Sequence, residues 1–173
     1  MEKLDYKMNV EVSILDISNL KQQIMNGNME EVIRIIEQIA ERKERAYIPT
    51  LIDYLIETDH NILRNAIAIA LSDLKAQESV EPILNLVLHP KTAKNRGTLL
   101  YALEGLDCSS HSLVITRMIV DGNFEVSRQA YQLLFHIHPQ LSFNVREQCR
   151  KIIVDHHKSN QDDWLKEVLE LFD

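Results

Sequence analysis

Glycine and proline are scarce, four of each in 173 residues. A β-rich chain needs turn residues roughly every 8–12 positions, so the shortage favours helices joined by short links. Aromatic residues are few as well, 6% of the chain, while Leu, Ile, Ala, Glu and Lys abound. That mixture points the same way. The two cysteines, Cys108 and Cys149, lie far apart with no CxxC. Neither a disulfide framework nor a zinc ribbon is suggested, and reduced thiols in a cytoplasmic protein are expected. No apolar run approaches the ~18 residues that a membrane span requires. The segment Met1-Glu2-Lys3-Leu4-Asp5 lacks the basic flank and apolar run of a signal peptide. Basic residues are in deficit, 19 Lys and Arg against 26 Asp and Glu, for a formal net charge of −7. The deficit argues against a protein that coats nucleic acid. It suits a basic partner, although mild acidity usually serves solubility alone.

Motifs of known chemistry are also missing. The four glycines are isolated, so no Gly-rich phosphate loop exists. There is no Gly-x-Ser-x-Gly elbow, and neither cysteine has the flanks of a known nucleophile. His136 and His138 are two apart, which on a helix points them away from each other. His156 and His157 are adjacent and fare no better as ligands; near a helix C-terminus they favour the macrodipole. Acidic pairs such as Glu30/Glu31 and Asp162/Asp163 fit first helical turns. No catalytic residue, metal site or cofactor is expected.

What is present is a repeat. Arg64, Arg96 and Arg128 are spaced by 32 residues, and each opens a similar helix: Asn65 to Leu71, Gly97 to Leu103, Gln129 to Phe135. Ahead of each lies a second matched helix with Leu51, Ile83 and Ile115 in one column. Leu55, Val87 and Ile119 form another column, and Ile56, Leu88 and Val120 a third. Within a unit the apolar spacing is helical, as in Ala66, Ile67, Ala70, Leu71 and Leu74. The links carry breakers, at 57–61, 89–92 and 121–123, and Pro49 and Pro82 fit first helical turns. A lone helix pair cannot bury its apolar stripe, so the units must stack.

The pattern decays outward. Asn28-Met29-Glu30-Glu31 reads as a capping box that opens a helix through Ile39, behind a short helix from Leu20 to Met25. Val145–Ile153 and Trp164–Phe172 predict a final pair. Val10, Val12 and Ile14 alternate like a strand, but a loose helical or extended cap over 1–17 is the better expectation. The expected organisation is one all-α domain over 1–173, a right-handed α-α solenoid of about five antiparallel helix pairs. Its parts are a cap and degenerate unit (1–45), clear units at 46–77, 78–109 and 110–140, and a capping pair at 141–173.

Residues 46–138 resemble HEAT-like repeats of the armadillo type. The resemblance rests on Ala46-Tyr47-Ile48-Pro49-Thr50-Leu51, then Arg64-Asn65-Ala66 and Leu71, with their echoes one and two units on. It implies a ladder in which a turn aspartate pairs with the helix-opening arginine: Asp59 with Arg64, Asp121 with Arg128. The middle unit offers Lys91 and Lys94 in its turn instead, which implies a break at Arg96. Such arginines are structural more often than ligand-binding. HEAT-like proteins are mostly scaffolds and binding surfaces, although relatives include phycobilin lyases, hydroxylases of a modified lysine and alkylpurine glycosylases. The hydroxylases rely on His-Glu motifs, and no His-Glu dipeptide occurs here. The glycosylases use a basic groove that an acidic chain does not suggest.

In that fold the outward columns of the second helices line the concave face. Here they read Ile69/Tyr101/Leu133, Ala68/Leu100/Gln132 and Ser72/Glu104/His136. The expected contact patch is Ile69, Leu100, Tyr101, Glu104, Gln132, Leu133 and His136, with Tyr101 as anchor, since aromatics carry a large share of binding energy. The expected function is a non-enzymatic protein-binding module. One form of it is an immunity or inhibitor protein for a basic toxin. A cofactor-handling lyase or a structural subunit are the alternatives. The partner is expected to be another protein, with no nucleic acid or membrane, and the chain a monomer or weak oligomer.

Overall fold

The computed structural model describes Leu20 and residues 22–160 and 162–173, with the side chain of residue 160 left aside. The expected cap over 1–17 lies outside these residues. Every regular element among them is helical. They comprise α1 (Met29–Glu41), α2 (Ile48–Glu57), α3 (Asn61–Asp73), α4 (Val80–Leu88), α5 (Gly97–Ala102), α6 (Ser112–Asp121), α7 (Phe124–Ile137), α8 (Phe143–Asn160) and α9 (Asp163–Leu169). Short 3-10 turns punctuate the links. None of the described helices is long and apolar enough to cross a membrane. The chain forms two compact units, 1–82 and 83–173.

In the first unit, α1 and α2 both pack on α3. Val32, Ile35, Ile36 and Ile39 of α1 recur at helical spacing and are buried, as are Leu63, Ile67 and Leu71 of α3. Asn28 caps α1 by accepting from the Glu31 amide. The carboxylate of Glu31 binds Arg34 instead of closing the capping box. The ends of α1 and α3 are built alike. Lys43 and Lys75 take the left-handed conformation (φ 56° and 53°). Behind each, the next amide returns five residues, Glu44 to Ile39 and Ala76 to Leu71, to close a Schellman turn. The orphan carbonyls at the end of α3 then receive cations: Lys43 donates to Asp73 (3.0 Å) and Arg45 to Leu74 and Lys75.

In the second unit, α7 packs on α5 and α6, and α8 packs on α6 and α9. The sequence predicts a full helix after Arg96, but α5 is only six residues and tightens into a 3-10 turn at Leu103–Gly105. Its last carbonyls are thereby met within the turn. Conversely, α8 runs 18 residues, well beyond the predicted Val145–Ile153. The Leu51/Ile83/Ile115 and Leu55/Val87/Ile119 columns are all buried. The third column is not, with Ile56 47% and Leu88 56% exposed. Each follows a core residue by one position, about 100° further round the helix, and so leaves the buried arc.

Candidate functional site

Four residues of α7, Phe124, Arg128, Tyr131 and Phe135, fall at i, i+4, i+7 and i+11 and so form one stripe. The opposite stripe, Val126, Ser127, Ala130, Leu133, Leu134 and Ile137, is buried and fixes the helix's rotation. Asn123 starts α7 by accepting from the Val126 amide (3.0 Å). Its outward stripe stays largely open, with Phe124 77% and Phe135 51% exposed.

Trp164 of α9 meets the middle of this stripe. Asp162 caps α9 by accepting from the Trp164 amide (3.0 Å). The indole Nε1 donates to Ser127 Oγ (2.9 Å), whose hydroxyl in turn donates to the Ile119 carbonyl (2.6 Å). That relay ties α9, α7 and α6 together and holds the ring in one orientation. The Arg128 guanidinium lies 3.4 Å from the Trp164 ring centroid and 5.2 Å from that of Phe124. Tyr131 meets Trp164 edge-on at 5.2 Å and Phe135 at 6.3 Å. The result is a continuous array, Phe124–Arg128–Trp164–Tyr131–Phe135. A shallow cavity of about 200 Å³ opens beside it, floored by Ile119 and Val120 and walled by Phe124 and Trp164. Arg128 lies 4.0 Å from Glu167. Chemically the array offers flat apolar area and cation–π capacity.

The predicted contact patch divides. Tyr101 is 56% exposed. Gln132 and His136 are exposed, and Ile69 and Glu104 are half-buried. His136 turns its Nδ1 to the Gln132 carbonyl (2.8 Å), and Glu104 accepts from the Gln129 amide. Leu100 and Leu133 are corrections: both are core residues, 0% and 1% exposed. On α5 and α7, which pack together, these leucines complete the buried arc, and no partner can reach them.

The arginine column divides too. Arg64 is fully buried. It donates to the Thr58 carbonyl (2.7 Å) and to Asn61 Oδ1 (2.8 Å), pinning the α2–α3 link to the start of α3. Burial pushes its pKa down, with the charge of Asp59 acting against the shift. Arg96 is half-buried with no hydrogen bond at Nε. Arg128 points outward onto Trp164, and its ion pair is with Glu167 and not with the expected Asp121. Asp121 lies 4.0 Å from His156. The separation explains the correction: Asp59 precedes its arginine by five residues, but Asp121 precedes Arg128 by seven.

Cys108 and Cys149 are buried, free thiols. Burial raises both pKa values, that of Cys108 to about 11. Among the described residues no group of three His, Cys, Asp or Glu side chains converges as a metal site would.

The expected contact patch omits Phe124, Tyr131, Phe135 and Trp164. The available signal was their crowding: all four Phe and the lone Trp lie between 124 and 172, three of the six aromatics there at helical spacing on α7. No known protein-family model matches the chain, and no curated protein or solved structure does either.

Proposed function

We propose that this chain is a non-enzymatic protein-binding module of HEAT-like architecture, an α-α superhelix that presents its partner surface on α7 and α9. The repeat reading is supported by the 32-residue register and by the buried columns at 51/83/115 and 55/87/119. It is supported further by the matched helix ends at Lys43 and Lys75, which are themselves 32 apart. An immunity or inhibitor role toward a basic protein fits an acidic chain without catalytic groups, and cytoplasmic residence fits its buried free thiols.

The observation that carries the binding reading is the exposed aromatic array around Arg128 and Trp164. Trp, Tyr, Phe and Arg are the residue types enriched at interface centres. Two phenylalanines left mostly in water cost free energy that covering them recovers, at about 25 cal/mol per Å² of apolar area. The array supersedes the Leu100/Leu133 patch as the surface, and Tyr101 remains exposed on α5.

The test is site-specific photocrosslinking in source-organism cells, with a benzophenone-bearing phenylalanine analogue at position 135. One predominant protein adduct is expected, lost when Phe124→Ser is added. The same analogue at Lys151, exposed on α8, should give none. Equal adducts from both positions, or none from position 135, overturns the reading.

A further inference from the structure

The α7–α9 face is built as a helix-packing face that its own chain covers only in part. The register positions equivalent to Tyr131 and Phe135 are Leu99 on α5 and Leu103 in the turn that follows it. Both are fully buried, and α7 is the helix packed on α5. On α7, Tyr131 meets Trp164 of α9, a helix seven residues long, about 10 Å. It reaches Arg128 and Tyr131 through Trp164 and leaves the flanking Phe124 and Phe135 in water.

The segment that carries α9 is predominantly acidic. Residues 162–173 hold Asp162, Asp163, Glu167, Glu170 and Asp173 against a single Lys166. Lys166 is taken by Asp163 at 2.6 Å, and Arg128 by Glu167 at 4.0 Å. Asp162, Glu170 and Asp173 have no ion-pair partner among the described residues, and Asp162 lines the cavity between Phe124 and Trp164. Aromatic rings with the carboxylates of the α9 segment along one rim suit a ligand with apolar residues at its centre and cations at its edge. Such cations stack on ring faces and pair with the rim.

We infer that the α7–α9 face docks a basic amphipathic helix of a partner protein, laid beside α9 so that its apolar stripe covers Phe124, Tyr131 and Phe135 and its Lys or Arg residues meet the carboxylate rim. This is the helix-in-groove mode of recognition. The inference rests on the binding-module reading and adds the chemical class of the partner.

Trp164 is the only tryptophan and sits inside the proposed site, so its fluorescence reads occupancy directly. The full chain is titrated with an amphipathic peptide of about 18 residues, five helical turns, with Leu on one face and Lys on the other. A second peptide replaces every Lys by Glu. The expected result is a saturable change in Trp164 emission with the Lys peptide and binding at least about ten-fold weaker with the Glu peptide. Phe124→Ser/Phe135→Ser, both exposed positions, should weaken the Lys peptide about ten-fold or more with helicity unchanged. Glu170→Lys/Asp173→Lys should narrow the preference between the two peptides. Equal affinity for both peptides overturns the inference, as does Lys-peptide binding that ignores the Phe substitutions, or an emission that never changes. If photocrosslinking at position 135 still captures a partner after such a failure, only the basic-helix class falls; if both fail, the binding reading falls with it.

Discussion

Arg64, Arg96 and Arg128 share one register position and meet three environments. Arg64 satisfies a backbone carbonyl and an asparagine oxygen while buried; Arg128 lies on the surface against an indole. Arg64→Ala empties a fully buried site and leaves two part-buried acceptors open, so it should cost about 2–4 kcal/mol. Arg128→Ala should cost at most about 1 kcal/mol, the scale of an exposed cation–π contact and ion pair. Urea denaturation of both variants checks the contrast, and equal losses would contradict the assigned environments. Cys108 makes a second prediction. Burial raises its folded pKa to about 11, above the ~8.5 of an unfolded thiol. Above that lower value the unfolded state releases a proton that the folded state keeps, so the contribution of Cys108 to stability is complete below pH ~8.5 and is lost as pH rises towards 11. Stability measured from pH 8 to 11 should fall less steeply in Cys108→Ala than in the parent. The native thiol should also resist alkylation at pH 8, because so little thiolate forms.

At the scale of elements, the ends of helices carry much of the specification. Schellman turns at Lys43 and Lys75, side-chain caps at Asn28, Asn123 and Asp162, and the link pinned by Arg64 each satisfy backbone groups that a bare terminus leaves open. The α6–α7 corner is tight. A Cβ on Gly122 would stand 2.4 Å from the Met118 carbonyl oxygen and 2.6 Å from a Val126 methyl carbon. The φ of Gly122 is −76°, so the constraint is closeness of approach and not handedness. Gly122→Ala should destabilise by about 1–3 kcal/mol, the usual cost of overpacking. A melting temperature within a degree of the parent would show that the corner relaxes freely. Much of this level was legible in the sequence. The capping residue Asn28, the break at 121–123 and two of the three apolar columns follow from local spacing. The shortness of α5 and the length of α8 were not, because a run of helix-favouring residues does not say which turn tightens to 3-10 when its neighbours pack on it.

At the scale of the whole molecule, the chain carries a formal charge of −7 with its only tryptophan on an acidic segment. A basic partner is therefore attracted before contact, and the attraction is screened by salt. Raising ionic strength from about 50 mM to about 500 mM should slow association of the Lys peptide by roughly ten-fold while changing its dissociation little. Stopped-flow Trp164 fluorescence separates the two rates, and a salt-insensitive on-rate would mean that apolar contact alone drives encounter.

The amino-acid sequence by itself determined that the chain is helical and where most helices begin. Helical periodicity and breakers are local properties, written within a few residues of where they act. It also determined two core columns, 51/83/115 and 55/87/119, whose apolar residues recur every 32 positions and are buried in each copy. Tertiary packing decided which stripes remained open. Leu103 and Phe135 are register equivalents, yet one is sealed and the other half in water, because the helix packed against each differs in length and reach. Exposure depends on what lies across the gap, and periodicity along one helix does not record its neighbour.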